Sequence, residues 1–62
     1  MIENVKHEMV VNGLLIRLLE IIDEAKGDAW FVVETKRDNE LQFSGRYPNI
    51  ESALERIGRY LP

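Results

Sequence analysis

The sequence has 62 residues, 8 of them basic and 11 acidic, so its formal net charge is −3, and it contains one histidine and no cysteine. This length excludes more than one domain, and the lack of cysteine and the single histidine disfavour disulfides and metal sites, so we expect no metal or cofactor. The mild acidity disfavours a surface for duplex nucleic acid, which needs clustered Lys and Arg.

The first predicted element is a long helix over residues 3–26. Between residues 10 and 22 the apolar side chains fill half of a helical cylinder, more than the stripe of ~100° that a core-facing helix needs. The excess predicts a second buried surface, formed most simply by a copy of the same chain. Asn12-Gly13 is a strong hairpin signal, but the apolar flanks favour a kink, or a new helix capped by Asn12. Gly27 is suited to end the helix.

Two strands are predicted next, over residues 29–36 and 40–47, from β-branched and aromatic residues and from apolar–polar alternation. A three-residue loop would pair Thr35 with Leu41, Val33 with Phe43 and Phe31 with Gly45. One face would then carry the larger side chains: Phe31, Val33, Leu41, Phe43 and Tyr47. A two-residue loop would set Lys36 beside Leu41 and Glu34 beside Phe43, and a one-residue slip inverts the faces of a strand, so we expect the longer loop.

The last predicted element is a helix over residues 50–60. Asn49 is a favourable N-cap and Glu51 lies in the first turn, where a negative charge is stabilising. Its apolar stripe consists of Ile50, Ala53, Leu54, Ile57 and Leu61. The sequence therefore predicts a single small α+β domain in the order α-β-β-α, with a β-hairpin covered on one face by the long and the short helix.

Such a hairpin has two free edges and is barely stable alone. The free edges, the small size and the apolar helix together predict a homodimer. The side of the long helix assigned to the partner carries Val11, Leu15, Leu19 and Ile22. The hairpin adds Trp30, Val32 and Arg46, because Trp30 would lie beside Val32 and opposite Arg46, where a cation–π contact can form.

Other polar residues give weaker signals for chemistry. On a helix Glu3 and His7 would lie one turn apart as half of a metal site, but the chain offers no further ligands. Three other sets suit a solvated surface: Glu20, Asp23 and Glu24; Asp38, Asn39 and Glu40; and Ser44 and Ser52, which lack a triad. We therefore expect no catalytic residues.

Residues 1–8 lack the basic and apolar regions of a signal peptide. The apolar stretch is interrupted by Asn12, Arg17 and Glu20 and is too short to span a bilayer. A cytoplasmic location without a membrane segment is therefore expected.

The function that these features favour is a non-enzymatic protein–protein interaction module: a homodimeric adaptor, regulator or inhibitor. Small acidic proteins of this kind are often encoded by phages and mobile elements. Two alternatives remain: binding of single-stranded nucleic acid by the outer side of the hairpin, and a subunit of a larger hetero-assembly docked through the apolar helix. The partner and the process it serves are not predictable from the residues.

Overall fold

The computed structural model describes residues 1–62 as a four-stranded antiparallel sheet followed by one helix. The elements are β1 (Ile2–Val11), β2 (Leu14–Asp23), β3 (Asp28–Arg37), β4 (Glu40–Tyr47) and α1 (Ile50–Gly58). The strands lie in the sheet in the order β1-β2-β3-β4, so each pairs with its neighbours in sequence. The order is β-β-β-β-α, and the predicted α-β-β-α fold with a long apolar helix is wrong.

The segment predicted as a long helix is a β-hairpin of two ten-residue strands. Its turn is Asn12-Gly13, with φ of 50° and 78° at the two residues, as a two-residue hairpin turn with right-handed strand twist requires. Neither a kink nor a capped helix forms there. Gly27 does adopt a left-handed conformation, with φ of 69°. It does so in the turn between β2 and β3, where it cannot end a helix.

The strands predicted in the second half are present, but their register differs from the predicted one. Asp38 and Asn39, both with positive φ, form a two-residue turn, and Lys36 pairs with Leu41. A register shift follows, so Thr35 pairs with Phe43, Val33 with Gly45 and Phe31 with Tyr47, and the predicted pairs and three-residue loop are wrong. Because of this irregularity Phe43 and Tyr47 lie on the same face as Val33 and Phe31, whereas Leu41 lies on the opposite face and is exposed.

Helix α1 confirms the predicted C-terminal helix and covers one face of the sheet, which we call the helix face. The backbone N–H of Ser52 donates to the side chain of Asn49 at 2.9 Å, so Asn49 is the N-cap. Ala53 and Ile57 are buried, while Leu54 on the same predicted stripe stays half-exposed. The core lies between α1 and the central strands and consists of Ile16, Leu18, Val33, Ala53 and Ile57.

A glycine allows close packing on the helix face of β4. A Cβ atom added to Gly45 would lie 2.7 Å from Cζ of Phe43 and 3.1 Å from Cε2 of Tyr47. The two aromatic rings therefore close over the backbone of Gly45 and pack against the core. This arrangement forms the floor of a cleft beside α1.

Candidate protein-binding surface

The face of the sheet opposite α1, which we call the outer face, has no helix over it. Facing residues of an antiparallel pair share a face, so the strand register defines the rows of side chains that cross it. The rows are Val10, Leu15, Lys36 and Leu41; Glu8, Arg17, Glu34 and Ser44; Val5, Leu19, Val32 and Arg46; Glu3, Ile21 and Trp30; and Asp23 and Asp28. Apolar side chains therefore occur in three of the five rows.

The apolar part of the outer face is only partly closed by its own side chains. Leu19 is 3% exposed, with Val5 and Val32 on either side of it in the same row. Val5 itself is 49% exposed and Val10 is 68% exposed. β-branched side chains of this size are usually buried, so the β1 half of the outer face presents apolar area without a partner.

A charged row crosses the middle of the outer face. Arg17 Nη1 donates to Glu34 Oε1 at 3.0 Å, and both side chains are mostly buried. Arg17 Nε lies 3.0 Å from Glu8 Oε2 as an ion pair that lacks hydrogen-bond alignment. The guanidinium of Arg17 therefore contacts two carboxylates, one on each neighbouring strand. The three side chains together have a net charge of −1.

Trp30 and Arg46 form the corner of the outer face near Pro48. The guanidinium carbon of Arg46 lies 3.9 Å from the centre of the Trp30 ring, within the range of a cation–π interaction. Arg46 is opposite Val32 in the register and reaches Trp30 diagonally. A cleft at this corner is also lined by Asp28 and Ala29. The aromatic ring is therefore half-buried, with one side covered by a cation.

The charges of the outer face are separated across the sheet. Glu3 and Glu8 lie on β1 without a cation of that strand beside them on this face. Lys36 and Arg46 lie on β3 and β4, and neither forms a salt bridge within the chain. Asp28 and Glu34 of β3 balance these two cations, so the face is acidic at the β1 margin and close to neutral toward β4, where Arg46 is the margin cation.

The predicted interface residues are divided between the two faces. The outer face brings together Leu15, Leu19, Trp30, Val32 and Arg46. Val11 and Ile22 lie on the helix face, in the rows of Leu14 and Ile2, because strand alternation replaces the helical period. The predicted single apolar side of Val11, Leu15, Leu19 and Ile22 is therefore wrong.

Three outer-face residues, Val5, Glu8 and Val10, were missed because residues 3–26 were assigned to a helix. The signal that could have found them is the Asn12-Gly13 turn between two ten-residue segments. Taken as a hairpin, it places Val10 beside Leu15 and Glu8 beside Arg17.

The remaining candidate groups are dispersed. Glu3 faces Ile21 on the outer face and His7 faces Leu18 on the helix face, so they form no half-site. Glu20 contacts Lys6 at 3.7 Å, whereas Asp23 accepts a hydrogen bond from the backbone of Lys26. No group of three or more His, Asp or Glu side chains is arranged to hold a metal ion.

Asp38 and Asn39 form the exposed turn between β3 and β4, and Glu40 begins β4. Ser44 lies on the outer face of β4 and Ser52 lies on α1, so the two hydroxyl groups are on opposite sides of the sheet. The one helix, α1, has nine residues, and no helix of the chain has the length and apolar character needed to cross a membrane.

Comparison with known proteins gives no match, whether with protein-family models, with curated proteins or with solved structures. The outer face and the strand edges are therefore the features that can indicate a function.

Proposed function

We propose that the protein is a non-enzymatic protein-binding module that acts as a homodimer through its outer face. The observation that carries the proposal is the row of Val5, Leu19 and Val32, which crosses three strands on a face without a helix. An antiparallel sheet with apolar residues on both faces normally has both faces packed. In this chain α1 covers one face, so we assign the other to a partner chain.

The size of the outer face suits a stable dimer. The chain measures 38 × 23 × 15 Å along its principal axes. One broad face therefore offers on the order of 800 Å², the area that each partner contributes to an interface of standard size. A second copy would convert two exposed sheet faces into a sandwich core, the arrangement in which sheets pack about 10 Å apart.

The charge distribution favours a second copy over an unrelated partner. When the twofold axis runs along the strands between two stacked sheets, β1 of one copy lies over β4 of the other. The acidic margin with Glu3 and Glu8 then faces Arg46 on β4. In an isologous interface of this kind each such contact occurs twice, once in each direction.

The nucleic-acid alternative has less support. Base stacking needs an accessible aromatic face and a positive groove. Arg46 already covers one side of the Trp30 ring, and the carboxylate of Asp28 lines the same cleft. Binding of a different protein, as an adaptor, regulator or inhibitor, would use the same apolar rows.

A charge-reversal experiment tests the homodimer and its orientation together. Glu3→Lys and Arg46→Glu should each weaken the dimer several-fold, because like charges would then face each other at the margins. The double variant should recover much of the wild-type dissociation constant, measured by sedimentation equilibrium at low salt.

Two results would overturn the proposal. If the double variant is as weak as the sum of the two single changes, the margins do not face each other. If the wild-type chain is a folded monomer at high micromolar concentration, the second copy is excluded and a different protein becomes the candidate occupant. Glu24→Lys, in the exposed turn after β2, is the matched control and should leave the dissociation constant unchanged.

A further inference from the structure

A cleft between β4 and α1 lies on the helix face at the free edge of the sheet. It has a volume of about 450 Å³. The lining residues are Phe43 and Tyr47 of β4, Pro48, Ser52, Glu55 and Arg56 of α1, and Arg59 directly after α1. The cleft is on the opposite side of the sheet from the outer face. It is therefore separate from the proposed dimer interface.

Arg56 is held rigidly in this cleft. Its guanidinium carbon lies 3.9 Å from the centre of the Phe43 ring and 5.5 Å from that of Tyr60, and Nη2 donates to the Tyr60 hydroxyl at 3.1 Å. The Nε atom is buried and has no hydrogen-bond partner. A buried, unpaired donor on a charged group is costly, and a fixed planar guanidinium is well suited to bind a carboxylate.

The cations of the cleft have no acidic partners within the chain. Arg56 and Arg59 form no salt bridge, although the protein has more acidic than basic residues. Ser52 adds a hydroxyl group and Glu55 adds the single carboxylate, so the lining carries two cations and one anion. The cleft is therefore complementary to an acidic group and has an aromatic floor that suits apolar atoms beside it.

The edge of β4 beside the cleft has unpaired backbone groups that can pair with an extended chain. β4 pairs only with β3, so alternate backbone N–H and C=O groups along Phe43 to Tyr47 point away from the sheet. The other edge is less suited to pairing, because the register of β1 is interrupted at Lys6, between Val5 and His7. Bulges and charged residues such as Lys6 are devices that protect a sheet edge.

We propose that the edge of β4 and the adjoining cleft bind an extended peptide segment that carries an acidic side chain. The segment adds a fifth strand about 4.8 Å from β4. Every second side chain of that strand points to the helix face, where its carboxylate accepts hydrogen bonds from Arg56 and Arg59. The backbone pairing gives affinity and the two arginines select the acidic residue. This site does not depend on the homodimer.

Nuclear magnetic resonance of the full isotope-labelled chain tests the site. The probe is a capped five-residue peptide of alternating valine and glutamate, and its matched control has glutamine in place of glutamate. The glutamate peptide should shift the backbone amides of residues 43–47 and the Nε–H of Arg56. The glutamine peptide should bind at least about tenfold more weakly, because it cannot form the charged hydrogen bonds.

Two variants distinguish a loss of peptide binding from a loss of the folded structure. Arg59→Gln changes an exposed cation at the C-cap of α1. It should weaken binding of the glutamate peptide several-fold and leave the spectrum of the free protein unchanged. Lys26→Gln removes a cation from the exposed turn after β2 and should leave peptide affinity unchanged.

The proposal is overturned by any of three results. Equal affinity for the two peptides would exclude recognition of the carboxylate. The second result is that glutarate alone binds as tightly as the glutamate peptide, shifts Arg56 and shifts no amide of β4. The site would then bind small anions and not a peptide strand. The absence of shifts at millimolar peptide would exclude the site altogether.

Discussion

Arg17 on β2 and Glu34 on β3 face each other at the centre of the outer face and are joined by a hydrogen bond of 3.0 Å. Glu8 on β1 completes the row, so three adjacent strands are connected by charged side chains. The row lies between two apolar rows, one with Leu15 and the other with Leu19. It fixes the relative positions of the strands, because a one-residue slip would move the carboxylates to the helix face.

Glu34→Gln should destabilise the fold. The substitution keeps the shape of the side chain and removes the negative charge that Arg17 contacts, at a position where both side chains are mostly buried. We expect the free energy of unfolding to fall by about 1 kcal/mol. Urea denaturation followed by circular dichroism measures this change, and the loss should shrink at high salt because screening weakens the wild-type pair. Glu24→Gln, in an exposed turn, is the control, and an equal loss in both variants would argue against the charged row.

Glycine substitutions at two positions should have opposite effects. Gly13 has φ of 78°, and an added Cβ would lie 3.3 Å from Nη1 of Arg37, which donates to the carbonyl oxygen of Asn12. Gly13→Ala should therefore cost about 1–2 kcal/mol. Gly58 at the end of α1 has no atom near an added Cβ and no positive φ. Gly58→Ala should stabilise the chain by about 0.5 kcal/mol, since it reduces the entropy of the unfolded state.

Thermal unfolding of both glycine variants provides the measurement. A destabilising Gly58→Ala, or a neutral Gly13→Ala, would be inconsistent with the positions of the first turn and of the helix end.

Gly45→Ala should disturb the aromatic floor of the cleft. The new methyl group would lie 2.7 Å from Cζ of Phe43, a ring that cannot move freely because Arg56 lies on it. We expect a loss of about 1–3 kcal/mol, as for other overpacked sites. Chemical denaturation would measure it, and Ser44→Ala on the opposite face, expected within about 0.5 kcal/mol of wild type, is the comparison. Similar midpoints for the two variants would contradict the close packing over Gly45.

The second half of the fold is predictable because each local signal agrees with the tertiary structure. Asn49 caps α1, and aromatic and β-branched residues form β3 and β4. The exact register depends on the irregularity beside Thr35, which has no sequence signature. For this reason the faces of β4 were predicted correctly for Phe43 and Tyr47 but not for Leu41.

The first half is not predictable from periodicity because β2 has apolar residues on both faces. Ile16 and Leu18 are buried under α1, while Leu19 is buried on the outer face. A strand apolar on both sides gives a continuous apolar run, and such a run fits a helical period equally well. The Asn12-Gly13 sequence is the one signal that distinguishes a hairpin from a helix here, and it favours the hairpin.

The candidate surface follows the same pattern. Trp30, Val32 and Arg46 belong to strands that were assigned correctly, and they lie together on the outer face. Val5 and Val10 join this face only through the pairing of β1 with β2. The prediction of a second chain therefore rests on the uncovered outer face and no longer on an apolar helix.

Sedimentation equilibrium of the wild-type chain beside Val5→Glu, Val10→Glu and Leu54→Glu tests the homodimer most directly. Val5 and Leu54 are 49% and 51% exposed and Val10 is 68% exposed, but Val5 and Val10 lie on the outer face and Leu54 lies on α1. We predict that the wild type and Leu54→Glu sediment at twice the chain mass of 7.2 kDa, whereas Val5→Glu and Val10→Glu are folded monomers. A monomeric wild type, or a dimer broken by Leu54→Glu and not by the outer-face changes, would contradict the assignment of the outer face to a second copy.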